Sequence, residues 1–216
     1  MMKHHPQAVL FDLIAAGRMD SELREALAFG PGRSTALVDR AIAAARPEVL
    51  AFQGHPIHDT LGVLNALVTS TFRSDSNQAV VKWNLECIRK LLEAGMIASL
   101  PFVYRGGWNS TGHLLALCAS THFEAGGTPS SRKAFLAAEY GALLDLLCEH
   151  GLDLNLQVSG CPPFANDVTP MEIAINCGLI VLSNEMALRG ATWRTSHVGI
   201  KELAGLPDAI KKSMRL

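Results

Sequence analysis

Three segments of this chain end alike, and that recurrence limits its fold more than any single residue does. "IRKLLEAGM" (88–96), "LLDLLCEHGLDLN" (143–155) and "SNEMALRGAT" (183–192) align on Gly95, Gly151 and Gly190. Four positions before the glycine stand Leu91, Leu147 and Met186, and three before it Leu92, Cys148 and Ala187. Eight before it stand Cys87, Leu143 and Leu182. This spacing predicts the buried face of an amphipathic helix, with the glycine as a C-cap that takes positive φ without steric cost.

Upstream of each ending lies a second apolar stretch that opens on a threonine: Thr60, Thr111 and Thr169. A threonine hydroxyl can accept from the free N–H groups of a helix start. Pro170 fits the first helical position, where no N–H is needed. The fifth residue is Leu64, Leu115 or Ile173; the sixth is Asn65, Ala116 or Ala174. The chain therefore reads as a repeated two-helix unit. Threonine to glycine spans 21 positions in the third copy (169 to 190), 35 in the first (60 to 95) and 40 in the second (111 to 151). The extra length falls in 69–83 and 120–133, which read as inserted loops rich in small and polar residues.

The third copy, "TPMEIAINCGLIVLSNEMALRG" (169–190), resembles an ankyrin repeat, whose signature is T-P-L-H-x-A followed by a second helix ending in Leu-Leu-x-x-Gly-Ala. "GLDLN" (151–155) resembles the family's Gly-Ala-Asp-Val-Asn ending, and "RGAT" (189–192) keeps the Gly-Ala. Glu172 replaces the usual histidine, and Thr60 and Thr111 lack the following proline. The resemblance implies an all-α fold: an ankyrin-like α-solenoid of helix-turn-helix repeats with projecting hairpin loops and capping helices. Its expected layout is an N-terminal helical cap (1–58) with a degenerate repeat at 35–54, repeats over 59–193, and a C-terminal helical cap (194–216). Within the caps, 21–29, 35–46, 199–206 and 207–216 read as helices.

The resemblance further implies protein–protein recognition without catalysis or cofactor, through the concave surface and the hairpins. An adaptor, an effector module and an immunity-type inhibitor of a toxin all fit that class. The expected contact residues are Tyr104, Arg105 and Trp108 in the hairpin 100–110, Phe164, Asn166 and Asp167 in the hairpin 156–168, and the outward residues His113 and Glu172. Aromatic and arginine side chains are the usual anchors of an interface.

Bulk properties agree with a soluble helical chain. Of 216 residues, 49% are hydrophobic but only 6% aromatic, so Leu, Ile, Val and Ala must supply the core. A net charge of −1 gives no electrostatic sign of a nucleic-acid partner. No apolar run is long enough to span a bilayer, and 8–16, broken by Asp12, reads as a helix of the mature fold rather than a signal peptide. Cys87, Cys118, Cys148, Cys161 and Cys177 form no CxxC pair and are odd in number. They read as free thiols in a reducing compartment, which points to the cytoplasm.

The residues that could carry chemistry are few. His55 and His58, three apart, could ligate a metal on a helix, but Pro56 lies between them and no third ligand follows. An α-helical enzyme or metal protein built on them is the alternative reading, and His4-His5 adds nothing to it. "RGGWNSTG" (105–112) has three glycines but lacks the Gly-Lys-Ser/Thr ending of a P-loop.

Overall fold

Each unit closes on the same backbone device. The computed structural model describes residues 35–45, 47–55, 60–72, 77–98, 101–104, 107–119, 130–161, 164, 167–197 and 205–215. Gly95, Gly151 and Gly190 have φ of 99°, 89° and 84°. At each, the glycine N–H donates three residues back, to Leu92, Cys148 or Ala187. The following N–H, of Met96, Leu152 or Ala191, donates five back to Leu91, Leu147 or Met186. This pair of bonds satisfies helix-end carbonyls and seats an apolar residue, buried in all three cases, beneath the last turn. Gly178 (φ 73°) ends a first helix in the same way, through Ile175 and Ala174.

Two short helices, α1 (Ala36–Ala44) and α2 (Pro47–Ala51), lead into the pair β1 (Gly54–His55) and β2 (Thr60–Leu61). The first unit is α3 (Val63–Thr71) and α4 (Gln78–Glu93). The hairpin β3 (Phe102–Tyr104) and β4 (Gly107–Asn109) precedes the second unit, α5 (Thr111–Cys118) and α6 (Ser130–Glu149). The third is α7 (Pro170–Asn176) and α8 (Ile180–Leu188). After it come β5 (Trp193–Arg194), a 3-10 turn (Thr195–His197), α9 (Asp208–Lys212) and β6 (Met214–Arg215).

The helices form two layers. The first helices stack as α3 on α5 on α7, and the second helices as α4 on α6 on α8. α1 packs on α4 at one end, held by a 2.6 Å Lys90–Asp39 ion pair, and α9 packs on α8 at the other. One apolar cluster runs through both layers from Val38 to Ile210, and Phe72 and Tyr140 meet within it at 4.3 Å between ring centroids. On the outer side, Arg189 of the α8 end reaches both carboxylate oxygens of Asp145 on α6, at 2.6 and 2.9 Å, and Glu185 at 2.9 Å. Gly141 makes room for that guanidinium, since a Cβ there would stand 3.0 Å from Arg189 Nη2.

The structure corrects the all-α, ankyrin-like solenoid. The chain is mostly helical, but among the described residues three two-stranded sheets lie before, between and after the units, and helices that are not consecutive pack on one another. β1–β2 and β3–β4 are antiparallel, with Gly54 opposite Leu61, His55 opposite Thr60 and Val103 opposite Trp108. β5 and β6 are parallel. Strands of two or three residues are too short to show the alternation by which a strand is recognised in sequence.

Other boundaries move as well. Much of the added length in the first two units is helix: α4 has 16 residues and α6 has 20, against 9 in α8. Asn77 caps α4 by accepting from Val80 N–H at 3.0 Å, inside the stretch read as a loop. The last segment is shorter than 207–216, because α9 gives way to β6. The helices expected at 8–16 and 21–29 lie outside the described residues, as does most of 199–206.

Candidate functional site

The threonine register slips between copies. Thr169 caps α7: its Oγ1 accepts from Glu172 N–H at 3.2 Å, and Glu172 Oε2 accepts from Thr169 N–H at 2.9 Å. In the second unit the N-cap is Ser110 and Thr111 is the first helical residue. In the first it is Gly62, while Thr60 lies in β2. Counted from these caps, the third helical residue is Asn65, His113 and Glu172, and each is fully buried.

Each of these three side chains reaches the segment that follows its own unit: the start of the next unit for Asn65 and His113, and β5 for Glu172. Asn65 Oδ1 accepts from Thr111 Oγ1 at 2.8 Å, while its Nδ2 donates to the Gln53 carbonyl at 3.0 Å. His113 Nε2 lies 2.9 Å from the Val168 carbonyl, which can only accept, so Nε2 carries the proton. Nδ1 then accepts from Ser110 Oγ at 2.7 Å. Glu172 Oε1 accepts from Arg194 N–H at 2.9 Å and from its Nε at 3.4 Å. A second link joins the unit ends: Asn155 Nδ2 donates to the Gly190 carbonyl, and its Oδ1 accepts from both the N–H and the hydroxyl of Thr192.

Burial sets the electrostatics of this row. It pulls the His113 imidazole down to about 4, although its bond to Val168 and the nearby Glu172 act in the opposite direction. Burial also pushes the Cys87 thiol up to about 12 and Cys161 to about 11, and raises Cys148 and Cys177. A thiol held protonated is a poor nucleophile and a poor metal ligand.

His113 and Glu172, expected to face outward, are therefore interior struts. Phe164 is half-buried against the core, and Asp167 is exposed and accepts from Ser159 Oγ at 2.5 Å. Arg105 and Asn166 lie outside the described residues, as does His58; Tyr104 and His55 are placed as strand backbone only. Trp108 stands on β4 with 49% of its surface exposed. Its neighbour Asn109 is buried, donates to the Gly107 carbonyl at 3.0 Å and accepts from Cys161 Sγ at 3.4 Å, which fastens this hairpin to the next one.

Sequence reasoning missed Asn65, Ser110, Asn155 and Arg194. Alignment on the N-cap rather than on threonine would have put a polar residue at the third position of all three first helices. Among the described residues, no group of three or more His, Cys, Asp or Glu could hold a metal ion, and no helix is long and apolar enough to cross a membrane. No protein-family model, curated protein or solved structure matches the chain.

Proposed function

We propose that the protein is a non-catalytic scaffold, built from stacked two-helix units, that recognises another protein through its β3–β4 hairpin. The observation that carries this reading is Trp108, a large aromatic side chain held in the open on a strand whose flanking residues, Gly107 and Asn109, are both buried. A rigid exposed indole loses little conformational entropy when a partner covers it. The buried polar row supports the same reading, since its members are engaged in joining units. The free thiols fit a reducing compartment such as the cytoplasm.

Affinity capture from the native host, followed by mass spectrometry, tests the proposal. Changing Tyr104, Arg105 and Trp108 to alanine together is expected to abolish capture of the partner while leaving the far-ultraviolet circular dichroism intact. Unchanged capture by a folded variant would remove the hairpin from the interface.

A further inference from the structure

The parallel pair β5–β6 places Arg194 directly opposite Arg215. Like charges at paired strand positions repel. Both arginines nevertheless line one cleft of about 80 Å³, together with Asn155, Gln157, Thr169, Glu172, Thr192 and Trp193. Glu172 offsets one of the two charges, through Arg194 Nε at 3.4 Å and backbone N–H at 2.9 Å, and is itself fully buried. Arg194 Nη2 makes a long 3.5 Å contact with the Asp167 carbonyl. Arg215 is exposed and has no ion pair among the described residues. The residues that line the cleft thus include two arginines against one glutamate, a surplus of one positive charge in a protein whose net charge is −1.

Size and shape narrow the ligand. The cleft is far below the 300–1,000 Å³ typical of pockets for whole small molecules, so it admits a single polar group. Guanidinium forks match the two oxygens of a carboxylate, and the exposed side-chain amide of Gln157 adds a donor, while the Thr169 and Thr192 hydroxyls already donate within the protein. We propose that this cleft receives a carboxylate side chain from an acidic segment of a partner protein. The site is separate in sequence from the β3–β4 hairpin and does not depend on it.

Isothermal titration with a hexaglutamate peptide, a hexaserine peptide and inorganic phosphate tests the assignment. The glutamate peptide is expected to bind, the serine peptide not to bind, and phosphate to bind more weakly than the glutamate peptide. Arg215→Gln is expected to weaken the glutamate peptide about tenfold, the worth of one charge-assisted bond. Arg215→Lys should recover part of that, since it restores charge but not the fork. Arg40→Gln removes an exposed arginine on α1, and Trp108→Ala changes the hairpin; both are expected to leave peptide binding unchanged. Equal binding of the serine peptide, an equal loss in Arg40→Gln, or no loss in a folded Arg215→Gln would overturn the proposal. Phosphate binding as tight as the peptide would do the same, because the cleft would then be a site for free oxyanions.

Discussion

His113 shows how much one buried ring can weigh. Its two nitrogens are both engaged, one accepting from Ser110 and one donating to Val168, and no solvent reaches it. The folded value of about 4 lies below the ordinary 6.5, so as pH falls the unfolded chain takes up the proton first. The contribution of the neutral ring is complete above pH 6.5 and is lost progressively as pH falls from 6.5 towards 4. The loss over that window is on the order of 3 kcal/mol. Urea unfolding of the wild type at pH 7, 5.5 and 4.5 is expected to show this decline, and His113→Gln to flatten it. Parallel declines in the two proteins would mean that another group sets the acid sensitivity. Glu172 belongs to the same scale. Alone in sequence it invites a catalytic guess, yet it accepts from Thr169 and Arg194 and closes the last unit.

At the scale of elements, the ends of the second helices were legible, whereas among the starts of the first helices only that of α7, at Thr169 and Pro170, was. A C-cap glycine is a local device: its positive φ and its two backward bonds lie within five residues, so the pattern Leu-Leu-x-x-Gly carries the information. The start of α3 is set from elsewhere. Gly62 donates to the Gln53 carbonyl at 2.9 Å, and a Cβ on it would lie 1.9 Å from the Phe52 carbonyl oxygen. The glycine is required by chain approach, since its φ of −59° suits any residue. Gly62→Ala is expected to cost about 1–3 kcal/mol as α3 shifts away. Gly205→Ala, with nothing within 4 Å of the added atom, is expected to be near neutral. Thermal unfolding of both variants checks the contrast, and equal melting temperatures would refute the close approach.

Across the whole molecule, the units are joined by a few polar side chains laid over a continuous apolar core. Asn155 is the clearest joint, because it ties the end of the second unit to Gly190 and Thr192 after the third. Asn155→Ala removes three bonds and leaves Thr192 donors without their acceptor, at a cost of about 1–3 kcal/mol. In a stacked array, weaker coupling also spreads unfolding over a wider range, because stability is a sum of unit and interface terms. Urea titration followed by circular dichroism is expected to show a lower midpoint and a shallower transition. An unchanged midpoint would mean that the apolar core alone joins the units.

What the residues determined by themselves is the unit: two apolar helical stretches, a glycine that ends the second, and a capping threonine and proline that start the best copy. These features depend on spacings of a few positions, and helix periodicity and capping act over that distance. The tertiary structure alone decided the short sheets, the true caps at Gly62 and Ser110, and the inward turn of His113 and Glu172. It also set Arg194 beside Arg215. Gly62, His113, Glu172 and the β5–β6 pair depend on contacts between residues 9 to 55 positions apart. The β1–β2 and β3–β4 pairs join residues only 3 to 7 positions apart, but in strands too short to alternate. Burial, which decides whether a polar side chain is a strut or a contact, exists only once the layers have closed.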